Sequence, residues 1–272
     1  MRDVAFVFSA QKPYSLLHML LQAVRTGTLG KGTALSAVLT EHSDLEQKDI
    51  LVISSKACAV TEGHAIDLSQ LTVSPEAEQW AKRCGRSPAF RQAVLNETRR
   101  MHGTVIGSCP KAMLCELKPD GLEEGTIFAV NAGLDTSNVE KGYAIGWPKD
   151  PVATVSKLRR DLESETGKRI AVILTDSCCR PRRLGVTAFA LTVCGIEPLL
   201  SQIGRKDIFG HELTMTHEAI ADQLATAANF LMGNADQSVP AVLIRDHGLS
   251  LTDFCGWVPG IAREEDLFRG LF

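Results

Sequence analysis

Long apolar runs, an excess of basic charge and paired metal-type cysteines are missing from this 272-residue sequence. No stretch approaches the ~18 consecutive apolar residues of a membrane span. The first residues, "MRDVAFVFSAQKPY", carry one arginine before an apolar run too short for a secretory core, and no small-residue cleavage site follows. The chain therefore reads as cytoplasmic, with no membrane partner. Its 29 basic residues against 32 acidic ones leave a net charge of −3, which excludes the footprint of a nucleic-acid binder. Cysteines at 58, 84, 109, 115, 178, 179, 194 and 255 include no C-x-x-C pair, so structural zinc is not expected. In a long chain without a signal they read as reduced thiols.

The common nucleotide fingerprints are also missing. In "GTLGKGT" the glycines Gly27 and Gly30 are too close for a P-loop, and Gly32 rather than a hydroxyl follows Lys31. A backbone contact to phosphate outside that motif stays open. No G-x-G-x-x-G follows a strand-like run, so there is no Rossmann fingerprint. His211 and His217 of "GHELTMTHEA" are six positions apart, where a zincin helix needs four, and read as surface histidines.

What is present is an ordinary globular composition, 44% hydrophobic and 22% charged, sufficient for one or two domains. Strands are predicted at "DVAFVF", "DILVISS", "TIFAVN", "KRIAVILT" and "PAVLIR". Helices are predicted at "SLLHMLLQAVRTG" and "SPAFRQAVLNETRRM". A third, "DPVATVSKLRRDLESETG", has Asp150 as N-cap, Pro151 at its first position and Gly167 as its stop. A fourth, "THEAIADQLATAANFLMG", takes Thr216 as its cap and Gly233 as its end.

Two strands run into oxygen-rich segments. One carries Asn131, Asp135, Thr136, Ser137 and Asn138, the other Thr175, Asp176 and Ser177. Side chains at strand ends are held by a rigid sheet yet open to ligand. Hard oxygen donors without clustered Cys or His favour magnesium or manganese over zinc. Either segment alone is an ordinary turn composition. The second, however, leads directly into Arg180, Arg182 and Arg183, whose planar guanidinium groups suit phosphate or carboxylate oxygens. Cys178 and Cys179 read as bystanders.

In order along the chain, "DILVISSKACAVTEGHAIDL", "GRSPAFRQAVLNETRRM", "NAGLDTSN", "WPKDPVATVSKLRRDL", "VILTDSCCRPRRLG", "GIEPL", "IGRKDIFGHELTMTHEAIADQLATAANFLMG" and "VPAVLIR" resemble the coenzyme F420-0:γ-glutamyl ligase family. The resemblance runs from about Arg25 to Arg245, giving a ligase-like domain over 25–245, an N-terminal extension over 1–24 and a C-terminal tail over 246–272. It implies an α+β fold of two unlike subdomains in an intertwined homodimer, with no P-loop. The implied activity activates a carboxylate-bearing acceptor with GTP and two divalent ions, Mg2+ or Mn2+ and with K+ admitted, then joins L-glutamate to it as an amide. The implied acceptor is coenzyme F420-0. A pterin such as dihydropteroate or folate is the alternative, as is a non-catalytic nucleotide-binding homologue.

By this resemblance Asp135, Asp176 and Ser177 hold metal. Asn138, Ser55 and Lys56 contact nucleotide, as do Thr26, Gly27, Thr28 and Leu29. Met232, Gly233, Asn234, Ala235, Asp236, Gln237, Ser238 and Val239 form a further nucleotide segment. Arg180 and Arg183 match the family's arginines and are candidate clamps for phosphate or the acceptor carboxylate. Glu97 is a candidate base for the incoming ammonium, or else an exposed helix carboxylate paired with Arg100. The sequence departs from the family at Val60, where a lysine is expected, and at Ser177, Cys179 and Arg182, which stand for threonine, glycine and tryptophan. Arg182 and Lys56 are the cations available to replace the missing lysine.

Overall fold

The computed structural model describes residues 19–270. The predicted strand "DVAFVF" and most of the N-terminal extension lie outside them. The strands are β1 (Leu20–Val24), β2 (Ile50–Ser54), β3 (Ile66–Asp67), β4 (Thr104–Cys109), β5 (Ala112–Leu117), β6 (Ile127–Val130), β7 (Tyr143–Ala144), β8 (Ala171–Cys179), β9 (Val186–Cys194), β10 (Leu200–Ser201), β11 (His217–Glu218), β12 (Ala241–Arg245) and β13 (Cys255–Trp257). The helices are α1 (Leu35–Glu41), α2 (Ser55–Thr61), α3 (Pro75–Cys84), α4 (Pro88–Arg100), α5 (Pro151–Thr166) and α6 (Ile220–Met232).

A six-stranded mixed sheet, ordered β1-β12-β2-β8-β9-β13, forms the larger part of this α+β fold. Among the described residues, only β2 and β8 pair in parallel. Their apolar runs are continuous because both faces of the sheet are covered. Alternate residues sort to opposite faces. Leu51, Ile53, Val172 and Leu174 share one core with Val155, Leu158 and Leu162 of α5, while Ile50, Val52 and Ile173 join Ala221, Leu224, Ala225 and Ala228 of α6. The smaller part is a three-stranded sheet, β4-β5-β6, with α3 and α4 packed beside it. Phe90 and Val94 of α4 join Met113, Cys115 and Leu117 of β5 in the first of these cores.

The predicted helix α5 forms as expected. Asp150 accepts a hydrogen bond from Ala153 N at 2.9 Å, Pro151 opens the helix and Gly167, at φ 70°, ends it in the left-handed region. Helix α4 likewise spans the predicted segment.

Four expectations are corrected. The predicted helix "SLLHMLLQAVRTG" contains β1 instead, paired residue by residue with β12 from Leu20↔Arg245 to Val24↔Ala241. A short apolar run has no decisive period, and the open sheet edge determines its conformation. Thr216 does not cap α6, which begins at Ile220 because His217 and Glu218 pair with β10. The strand "KRIAVILT" does not stop at Asp176 but continues to Cys179, still paired with β9. Finally, Cys194 and Cys255 are joined in a disulfide, because the β9–β13 register sets them directly opposite each other. The remaining described cysteines are free. The sheet thus takes β1 from residues assigned to the extension and β13 from the tail.

Asp150→Ala should lower unfolding free energy by about 1 kcal/mol through loss of the α5 cap, read as a shift in urea midpoint at unchanged m-value.

Candidate functional site

The parallel pairing of β2 with β8 ends at Ser54↔Thr175. Beyond it β2 turns into α2, whereas β8 continues against β9 alone. Asp176 is the first residue past that end and lies beside Ser55 and Lys56, an arrangement typical of ligand sites in sheets with parallel strands. Although only 8% exposed, its carboxylate is well supplied with donors. Lys56 Nζ forms an ion pair with Oδ1, the Ser177 backbone N–H donates to Oδ1 at 2.7 Å, and Trp147 Nε1 donates to Oδ2 at 2.6 Å.

Asp135 arrives from the smaller sheet. After β6, Asn131, Ala132 and Gly133 all take positive φ, 51°, 53° and 77°. That run is held from inside the protein: Asn131 Oδ1 accepts from Met113 N at 3.0 Å and from Arg91 Nη1 at 2.9 Å, and Arg91 is fully buried. Glycine is required at 133, because a Cβ there would lie 2.6 Å from the Trp147 ring. The backbone of Asp135 then bridges to Ile145. Its carboxylate accepts from the Thr136 backbone N–H at 2.7 Å and from the Ser137 hydroxyl. Partial burial pushes its pKa upward, but the Ser137 hydroxyl, the Thr136 and Ser137 backbone N–H groups and the charge of Lys56 outweigh this, leaving it below the usual 3.8. Lys56 therefore acts on both carboxylates.

The predicted nucleotide segments converge on the same region. Thr26 N donates to Ser238 O at 3.2 Å, joining the 26–29 loop to the 232–239 loop. Asn138 Nδ2 donates to Ala235 O at 3.1 Å, and Ser177 Oγ donates to Asn234 Oδ1 at 2.8 Å. Ser55 Oγ is buried with no hydrogen-bonding partner among the described residues. Asp236 and Gln237 lie exposed on the 232–239 loop, and Met232 and Val239 anchor it in the core.

The oxygen donors Asp135, Asp176, Ser177 and Asn234 suit a hard divalent ion, and the Lys56 ammonium already shows that a cation is accommodated against Asp176. Among the described residues no three His, Cys, Asp or Glu side chains cluster, so an ion here would also use hydroxyl, amide and phosphate oxygens. Val60, on α2, brings no charge to this centre. Lys56 supplies it.

The arginines are placed differently. Arg180 and Arg182 line a cavity of about 420 Å³ with Asp176, Ser177 and the outward side chains Leu114, Phe128 and Val130 of the smaller sheet. Arg183 lies at the exposed turn, where its backbone N–H donates to Arg180 O at 3.2 Å. Cys178 and Cys179 also line the cavity, but burial pushes the Cys178 thiol upward, away from thiolate character. Glu97 does not join the Asp135–Asp176 centre. It is paired with Arg100 at 2.7 Å and borders a second cavity. Trp147 and Arg91 lie inside the quoted family segments, but no chemical pattern of their own singles out either side chain.

An α+β scaffold that brings Asp176, just past the β2–β8 parallel pairing, together with oxygen-rich loops from other parts of the chain, beside a cavity with apolar and cationic walls, defines a protein that acts on small molecules. The family is narrower: the F420-0:Gamma-glutamyl ligase model matches residues 23–246, and the chain belongs to that family. The chain is 35% identical over 242 residues to the "Coenzyme F420:L-glutamate ligase" of Methanothermobacter thermautotrophicus, covering 87% of this chain and 90% of that protein. The proteins of the same name from Methanocaldococcus jannaschii and Methanosarcina acetivorans are 36% and 38% identical over 240 and 215 residues. These matches cover 88% of this chain and 92% of the first relative, and 79% of this chain and 80% of the second.

Because the folded-state pKa of Asp135 is depressed, the stability it contributes is present above the ordinary carboxyl range and lost as pH falls through the lowered value. Asp135→Asn should accordingly melt below wild type at pH 6, with the gap closing as pH drops below about 4, read by thermal unfolding across pH.

Proposed function

We propose that this chain is a GTP- and divalent-metal-dependent γ-glutamyl ligase that joins L-glutamate to the carboxylate of coenzyme F420-0. The observation that carries this reading is the meeting of five separated segments around Asp176 and Lys56, in a chain whose relatives are named coenzyme F420:L-glutamate ligases. Ser55, Lys56, Asn138 and the 26–29 and 232–239 loops grip the nucleotide. Asp135, Asp176 and Ser177 hold the divalent ions, which when bound neutralise phosphate charge during phosphoryl transfer.

The γ-phosphoryl group passes to the acceptor carboxylate, giving an acyl phosphate and GDP. The glutamate amine then attacks the acyl carbon, forming the amide and releasing inorganic phosphate. Arg180, on the cavity wall beside Arg182, presents a guanidinium group to the anionic acceptor carboxylate or phosphate, and Arg183 adds positive charge from the neighbouring exposed turn. The 420 Å³ cavity lies within the ~300–1,000 Å³ typical of ligand sites, and its wall of Leu114, Phe128 and Val130 suits a flat ring system. A pterin acceptor shares that shape and is the alternative outcome of the assay.

Incubation of the pure protein with GTP, magnesium, L-glutamate and each acceptor should yield the glutamyl product of coenzyme F420-0 by mass spectrometry, with GDP formed in step. Asp176→Asn should reduce turnover beyond the ~10–100-fold lost when an outer-shell metal partner is removed, at unchanged circular dichroism. Product from the pterin alone would reassign the acceptor. Full activity of Asp176→Asn would remove the site.

The proposed homodimer is supported by large apolar side chains left exposed on two segments. Leu184 and Val186 lie at the β8–β9 hairpin, and Ile208, Phe209 and Met215 lie between β10 and β11. Five such side chains on two short segments suit an association surface. Phe209→Asp with Met215→Asp should convert a dimer to monomer in sedimentation velocity, whereas an unchanged sedimentation coefficient would move the interface elsewhere.

A further inference from the structure

One short stretch, residues 145–147, grips both carboxylate-bearing segments. Ile145 and Asp135 exchange backbone hydrogen bonds, Asp135 N donating to Ile145 O at 2.8 Å and Ile145 N to Asp135 O at 2.9 Å. Two residues on, the Trp147 indole N–H donates to Asp176 Oδ2 at 2.6 Å. The Trp147 ring is buried and held on several sides. Phe189 meets it edge-on with ring centres 6.4 Å apart, and the Trp257 ring lies 6.5 Å away. Its Nε1 edge packs against Gly133, where a Cβ would come within 2.6 Å of it. Trp257 is in turn fixed by its own N–H, which donates to Asp120 O at 3.0 Å. A ring so confined cannot swing away from Asp176.

The two oxygens of Asp176 therefore differ. Oδ1 accepts from the Ser177 backbone and pairs with Lys56, whose part-exposed ammonium sits on a flexible stem and can yield its place to another cation. Oδ2 is committed to a buried, uncharged donor that has no other position to take. An oxygen already holding a 2.6 Å hydrogen bond has less electron density and less room to offer a metal ion. That difference matters between ions. Calcium takes ~6–8 oxygens in flexible geometry and often accepts a carboxylate through both of its oxygens, whereas magnesium demands near-octahedral order, keeps several waters and uses one or two carboxylates.

Resting on the ligase reading above, in which Asp176 holds a divalent ion, we infer that Trp147 is a positioning residue that makes Asp176 a one-oxygen ligand and so biases the centre toward Mg2+ and against Ca2+. Its N–H withholds Oδ2 and turns Oδ1 toward the cation. The Ile145 bridge, two residues away on the same strip of chain, keeps Asp135 in a fixed relation to that oxygen.

The full chain is titrated with Mn2+, read by the electron paramagnetic resonance of the free ion, and Mg2+ and Ca2+ are then used in turn to displace it. Replacing Trp147 by benzothienylalanine keeps the bicyclic shape with sulfur in place of the N–H, and Trp147→Phe removes the N–H with less bulk. The ratio of Mg2+ to Ca2+ affinity should fall about tenfold in both, the lower end of the ~10–100-fold effect of outer-shell partners on metal affinity. Should Trp147→Phe fail to fold, the benzothienylalanine protein decides. Trp257→Phe disturbs the same aromatic group without touching Asp176 and should leave the ratio at its wild-type value. An unchanged ratio in the benzothienylalanine protein would overturn the inference, as would an equal fall in Trp257→Phe, and wild-type turnover would leave the ligase reading standing in either case. A wild type that turns over yet holds no Mn2+ by itself would also overturn it, since the nucleotide would then hold the ion. A wild type inactive with every acceptor, whose ratio still falls on loss of the N–H, would keep the inference and sink the ligase reading. Absence of both turnover and metal binding would overturn the two together.

Discussion

A carboxylate with little access to water must be met by donors or give up its charge, and Asp176 is the residue on which this constraint falls most heavily. Lys56, Trp147 Nε1 and the backbone of Ser177 satisfy it from three directions. Each donor belongs to a different element, so the order of the site is tied to the docking of α2, of the segment before α5 and of β8 itself. Removing any one leaves the carboxylate partly unpaired in a place where that is costly.

The sheet explains why these elements meet there. Parallel pairing brings β2 and β8 to a common C-terminal edge, and β2 then departs into α2 while β8 extends into a hairpin with β9. The departure opens the space that Ser55 and Lys56 enter. The far end of the same sheet is closed by Arg245, which donates to both oxygens of the fully buried Asp49 at 2.9 and 2.8 Å and so joins β12 to the start of β2.

Much of this was legible in the chain itself. The cap, first-position proline and terminal glycine of α5 are local chemistry, and they act wherever the helix is placed. The continuous apolar runs of β2, β8 and β12 require burial on both faces. The oxygen-rich segments at 131–138 and 175–177 also stood out, since each concentrates side-chain oxygens directly after an apolar run. Less legible were elements whose conformation is imposed from outside. Leu20–Val24 is apolar enough for either helix or strand and is extended because β12 has a free edge. The Cys194–Cys255 pairing depends on a register between strands 61 residues apart in sequence.

The sequence by itself determined which residue types were available: hard oxygen ligands, a basic turn, and two cations, Lys56 and Arg182, for the lysine expected at Val60. These are properties of side chains and short spacings. Only the tertiary structure decided which of them face one another, because convergence depends on strand register and crossover geometry rather than on neighbouring residues. It placed Lys56 against Asp176, set Glu97 beside Arg100 at a separate cavity, and brought Trp147 to the wall of that cavity with its N–H on Asp176.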